Sequence, residues 1–88
     1  VPVPTMSPRE LSKEISRLEK LVGELESQVA SEEAELKEIE YRLANVDPTA
    51  DIFALTQDHA ATQEHLAGAM SAWEETSHKL EELSAQRG

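Results

Sequence analysis

Leu43-Ala44-Asn45-Val46-Asp47-Pro48-Thr49-Ala50-Asp51-Ile52-Phe53-Ala54-Leu55 is the stretch that decides the fold. Pro48 has no amide hydrogen for a helix passing through it, and its ring clashes with the turn before. A helix arriving from the N-terminal side therefore stops near Val46. Pro48 suits the opening of a second helix with Asp47 as its cap, and Thr49 and Asp51 are alternative caps. The apolar pattern changes phase at the same place. Val46 to Ile52 is a step of six, where an unbroken helical seam steps by three or four.

Upstream of the break, apolar residues recur at Leu11, Ile15, Leu18, Val22, Leu25, Val29, Leu36, Ile39, Leu43 and Val46, with Glu32 in the one polar seam position. Alternating steps of four and three over about five heptads are the signature of a coiled-coil helix. Ser7-Pro8-Arg9-Glu10 supplies its start: a capping serine, a proline at the first helical position and a glutamate three residues after the cap. Downstream the stripe is weaker: Ile52, Leu55, His59, Thr62, Leu66, Ala69, Trp73, Thr76, Leu80 and Leu83. The expected architecture is all-α, a two-helix antiparallel coiled-coil hairpin. Helix 1 is expected over about 8–46, the tip over 47–51 and helix 2 over about 52–85. Residues 7–86 form the hairpin domain, and 1–6, with Pro2 and Pro4, are read as an extended tether.

Folding the chain back at the break sets Val46 against Ile52, Leu43 against Leu55, Ile39 against His59, Leu25 against Trp73, Leu18 against Leu80 and Ile15 against Leu83. Seam meets seam throughout in one register, as an antiparallel coiled coil requires. The expected core is Ile15, Leu18, Leu25, Trp73, Leu80 and Leu83, with Trp73 the largest buried side chain; a partner-anchoring role is the alternative for it. The tip layers, including Phe53, are expected to be well filled. The middle, where Leu36 meets Thr62, Glu32 meets Leu66 and Val29 meets Ala69, is expected to be poor. Glu32 should splay outward or kink the seam locally, because burying its charge is costly.

The flanks differ in charge. On one, Arg42 lies near Asp58 and Glu35 near His65, favourable cross-helix pairs. On the other, Glu19, Glu26, Glu33 and Glu40 recur every seven residues and face Ser77, Met70, Gln63 and Thr56, none of them basic. This acidic row is a candidate docking stripe for a basic surface, or a solvated face. Arg9, Lys13, Arg17 and Lys20 form a basic outer face near the base. They are candidate nucleic-acid contacts, or partners for Glu10, Glu14 and Glu24.

Composition sets bounds on function. The chain has 88 residues, a formal net charge of −10 and no cysteine. The acidic balance disfavours general binding to phosphate backbones. The lack of cysteine removes disulfides and thiolate chemistry and fits a reducing, cytoplasmic setting. No apolar run approaches the roughly 18 residues of a membrane span. His59, His65 and His78 lack metal-ligand spacing, and Gly23, Gly68 and Gly88 build no phosphate-binding loop, so no catalytic, cofactor or metal residue is expected. The expected molecule is a monomer, and an opening at Val1 suggests a piece of a longer protein.

Taken together, R-E-L-S-K-E-I-S-R-L-E-K-L (9–21), the N-V-D-P-T-A-D tip (45–51), L-T-Q-D-H-A-A-T-Q-E-H-L (55–66) and A-W-E-E-T-S-H-K-L-E-E-L (72–83) resemble the C-terminal coiled-coil domain of ABC-F ATPases, in particular the Uup-like branch. The likeness covers roughly Pro8 to Leu83, and Asp47-Pro48 and Trp73-Glu74-Glu75 sit at the family's tip and late second-helix motifs. It implies a parent with two ATP-binding cassettes, using ATP and magnesium outside this chain. It also implies contact with DNA, with ribosomal RNA or with the parent's own cassettes. The acidic balance departs from a DNA-binding tail. A rival likeness is the tRNA-contacting arm of valyl-tRNA synthetase, which is expected to be basic and to lack the late Trp73. A purely structural spacer or dimerisation element is the remaining alternative.

Overall fold

The computed structural model describes residues 6–87. The tether expected over 1–6 lies outside them apart from Met6, which is exposed. Two helices account for the described fold: α1, Pro8–Ala44, and α2, Ile52–Arg87. They pack antiparallel as a hairpin, a rod of 63 × 24 × 14 Å.

Local chemistry explains where each helix begins and ends. Ser7 caps α1, its Oγ accepting from the Glu10 amide at 3.2 Å while its hydroxyl donates to Glu10 Oε1 at 3.1 Å. At the far end, the Asn45 amide and side-chain Nδ2 both donate to the Tyr41 carbonyl, at 3.0 and 2.9 Å. That carbonyl would otherwise lack a helical partner. This cap stops α1 at Ala44, two residues short of the expected Val46. Asp47 does not cap α2. Its Oδ1 accepts from the Thr49 amide (2.8 Å) and hydroxyl (2.7 Å), and its carbonyl accepts from the Ala50 amide (2.9 Å). The result is a tight turn with Pro48 at its second position. Asp51, one of the alternative caps, starts α2 by accepting from the Ala54 amide at 3.0 Å. The second helix continues to Arg87 rather than ending near 85.

The seam lies where the periodicity puts it. Leu11, Ile15, Leu18 and Ile39 are buried on α1, and Thr62, Ala69 and Leu83 on α2; most other seam positions are half-buried. The base is the driest part. Leu11, Ile15, Leu18 and Leu83 form one cluster with Leu80 packed against it, and Ile15 is only 1% exposed. Burial of each such aliphatic side chain is worth about 1.5–3 kcal/mol.

Three expectations are corrected. First, the tip is not filled: Val46, Ile52 and Phe53 are 44%, 52% and 73% exposed. Because α1 ends at Ala44, Val46 leaves the helical path before it can face Ile52, so the last layer is Leu43 with Leu55. Second, Trp73 is not a core plug; it is 37% exposed. Its seam neighbour Ala69 is 5% exposed, and a small residue there draws the helices close, leaving no room for an indole between them. Leu25 opposite is half-buried. Third, Glu32 does not escape to water. It is half-buried, and its Oε2 is shielded from solvent without a hydrogen-bond partner.

Candidate docking surfaces

The acidic flank is built by helix geometry. Glu19, Glu26, Glu33 and Glu40 stand one residue after alternate seam positions and are all exposed. Consecutive members are two helical turns apart, about 10.5 Å along the axis at ~1.5 Å per residue. Glu40 departs from the expected partnerless row: its Oε2 lies 3.2 Å from His59 Nε2. His59 is half-buried on the seam, as expected, and reaches this flank from there. Among the described residues no ion pair involves Glu19, Glu26 or Glu33.

Two of these carboxylates rim a groove. Glu26, Val29, Ala30 and Glu33 of α1, with Met70 and Trp73 of α2, line a cavity of about 310 Å³. Met70 is 48% exposed. The surface is thus an apolar trough, with an indole and a thioether on one wall and two unpaired carboxylates on the other. Trp73 was legible as a seam residue but not as a flank residue. Met70 was legible as facing Glu26, and a methionine among serine, glutamine and threonine at equivalent positions was the available signal.

The opposite flank lacks its expected cross-helix ion pairs. Arg42 Nε donates to Glu38 Oε1 at 3.1 Å, on its own helix, and no ion pair joins it to Asp58 or Glu35 to His65. A partner four residues away on the same helix needs no reach across the seam. Arg42 and Asp58 both line a tip cavity of about 380 Å³, with Tyr41, Asn45, Asp47 and Asp51 among its other walls.

The basic base is partly neutralised. Arg17 makes a two-pronged pair with Glu14, its Nε donating to Oε2 at 3.1 Å. That hydrogen bond holds the Glu14 carboxyl below the usual carboxylate range and pushes the Arg17 guanidinium up. Arg9, Lys13 and Lys20 are exposed beside it. At the tip, hydrogen bonds from the Thr49 side chain and amide hold the Asp47 carboxyl below its ordinary value. The described residues contain no group of three His, Cys, Asp or Glu side chains placed to hold a metal ion. Within them no helix is long and apolar enough to cross a membrane.

No family model matches this chain, and no curated protein or solved structure matches it significantly.

Proposed function

We propose that this hairpin is a non-catalytic interaction arm, the C-terminal coiled-coil domain of an ABC-F type ATP-binding protein working in the cytoplasm. The ATP and magnesium chemistry belongs to the parent. The arm assists contact with the parent's cassettes, with the ribosome or its RNA, or with DNA. One observation carries the interaction reading: large apolar side chains stand exposed both at the tip (Tyr41, Val46, Ile52, Phe53) and along one flank (Met70, Trp73) of a rod with a closed base. Exposed apolar surface rimmed by polar groups marks contact sites, and a passive spacer has no need of it. The parentage rests on the motif resemblance.

Charge ranks the partners. A net charge of −10 and the Glu14–Arg17 pair favour a protein partner over nucleic acid. Labelled duplex DNA and a ribosomal RNA hairpin titrated with the chain, at low and moderate salt, test this. Weak or absent binding at low salt is expected. A salt-dependent isotherm abolished by charge reversal of Arg9, Lys13, Arg17 and Lys20 would move the contact to nucleic acid. The parentage is tested in the coding sequence upstream of Val1, where two G-x-x-x-x-G-K-[ST] motifs are expected; a parent without them overturns it.

A further inference from the structure

We infer that the trough bounded by Glu26, Val29, Ala30, Glu33, Met70 and Trp73 seats one amphipathic, basic α-helix of a partner protein, which packs along the arm as a third strand. This deepens the interaction-arm reading and rests on it, but needs neither the ABC-F parentage nor any nucleic-acid contact.

The trough has the features of helix-in-groove recognition. Its floor is apolar and runs between two helices, so a third helix can lay a stripe of side chains into it at three- and four-residue spacing. Its volume of about 310 Å³ lies at the small end of pockets that bury a ligand group, room for the anchor residues of one helical face rather than for a separate small molecule. Trp73 and Met70 supply the wall: an amphipathic ring that anchors interfaces and a flexible thioether that adapts to its occupant. Trp73 is the sole tryptophan of a chain with one phenylalanine and one tyrosine. Its place on an exposed flank leaves a large apolar area uncovered.

Charge selects the occupant. Glu26 and Glu33 stand above the trough with no cation recorded on either, and the facing residues on α2 at those levels are Met70 and Gln63. Their spacing of about 10.5 Å, two turns at ~1.5 Å per residue, matches lysine or arginine side chains at positions i and i+7 of a helix lying alongside. Apolar residues at i+3 and i+6, or at i+1 and i+4, would then fall into the trough while the basic side chains stay at its rim. A phosphate backbone is repelled by the same carboxylates. A two-fold pairing of this flank with a second copy sets two glutamate rows against each other, which like-charge repulsion opposes.

Trp73 also supplies the measurement. The probe is a synthetic 21-residue helix with leucine at the a and d positions and lysine at e and g, added to the full chain while indole emission is followed. A blue shift and a saturable isotherm are expected. Glu26→Gln with Glu33→Gln should weaken binding at least ten-fold, and Met70→Ala several-fold. Glu64→Gln with Glu81→Gln, the same charge change on exposed outer positions, should change it less than two-fold. Three results overturn the proposal. One is an unshifted spectrum. Another is equal weakening by the two double variants, which would mean diffuse attraction to an acidic rod. The third is a concentration-dependent blue shift without peptide, coincident with dimers in sedimentation, which would give the trough to a second copy. The DNA and RNA titrations read the interaction-arm proposal separately, since they depend on α1's basic face and not on the trough.

Discussion

At the base of the hairpin Ile15 and Leu18 are 1% and 2% exposed; at the tip Val46 and Ile52 are 44% and 52% exposed. All four are aliphatic and all four occupy seam positions in the sequence pattern. What separates them is the number of sides from which they are covered. At the base both helices run on past the layer, and Leu11 and Leu83 close it from neighbouring turns. At the tip α1 has ended at Ala44, so the last two seam residues have helix on one side and solvent on the other. Apolar identity selects a face; burial needs helix continuing beyond it.

The largest break in this contrast comes from trimming each end. Ile15→Ala should cost about 2–5 kcal/mol, by loss of transfer free energy and creation of a cavity, while Ile52→Ala should cost less than about 1 kcal/mol, as an exposed substitution does. Urea denaturation followed by helical circular dichroism measures both, and equal costs would erase the distinction between base and tip. In hydrogen exchange the amides of α2's first turns should lose protection before those around Leu83.

The middle lies between these extremes. Contrary to the expectation of a poorly filled middle, Thr62 and Ala69 are both only 5% exposed there, yet it holds the partnerless Glu32 Oε2. Glu32→Leu should stabilise the hairpin by about 1–3 kcal/mol, the usual penalty of an unsatisfied buried polar group. A destabilised variant would show that the carboxylate has a partner in solution. At the tip, Asp51→Ala removes the α2 cap and should cost about 1 kcal/mol, with the loss of protection confined to the first turn of α2.

The smallest effect is a pH dependence. Hydrogen bonds from Thr49 depress the folded pKa of Asp47, so its contribution is fully present above the ordinary aspartate value of about 3.9 and fades as pH falls through the lower folded value. Asp47→Ala should flatten the acid limb of the stability profile slightly. An unchanged limb would mean that the turn forms equally well around a protonated Asp47.

Seam, break and register were legible because they depend on spacing alone: four-three alternation on each side of Pro48 places every layer from Ile15–Leu83 to Leu43–Leu55. Depth was not legible. Trp73 and Leu25 share a layer by spacing, but whether an indole fits there depends on how closely Ala69 lets the backbones approach, a property of the neighbouring layer. Charge pairing was legible only as a set of options. Arg42 was read against Asp58 across the seam, and its flexible side chain instead took Glu38, four residues away on its own helix. The row of glutamates was readable from its seven-residue period, and the trough beneath it was not, because a trough exists only once two helices are packed. The choice of Asp51 over Asp47 as the cap turned on a competition that propensity leaves open, since an aspartate before a proline closes a turn as readily as it starts a helix.

The covalent connection between the helices and their most cohesive layers lie at opposite ends of the rod. Tension applied between Pro8 and Arg87 therefore opens the hairpin like a zipper, loading the layer of Leu11, Ile15, Leu18 and Leu83 first. Beyond it Ala69, Thr62 and Ile39 are also buried, so the middle is a second hold before the half-buried and exposed residues of the tip. Pulled this way, the arm is a graded latch: it holds at the base, holds again in the middle, and last gives way at the tip.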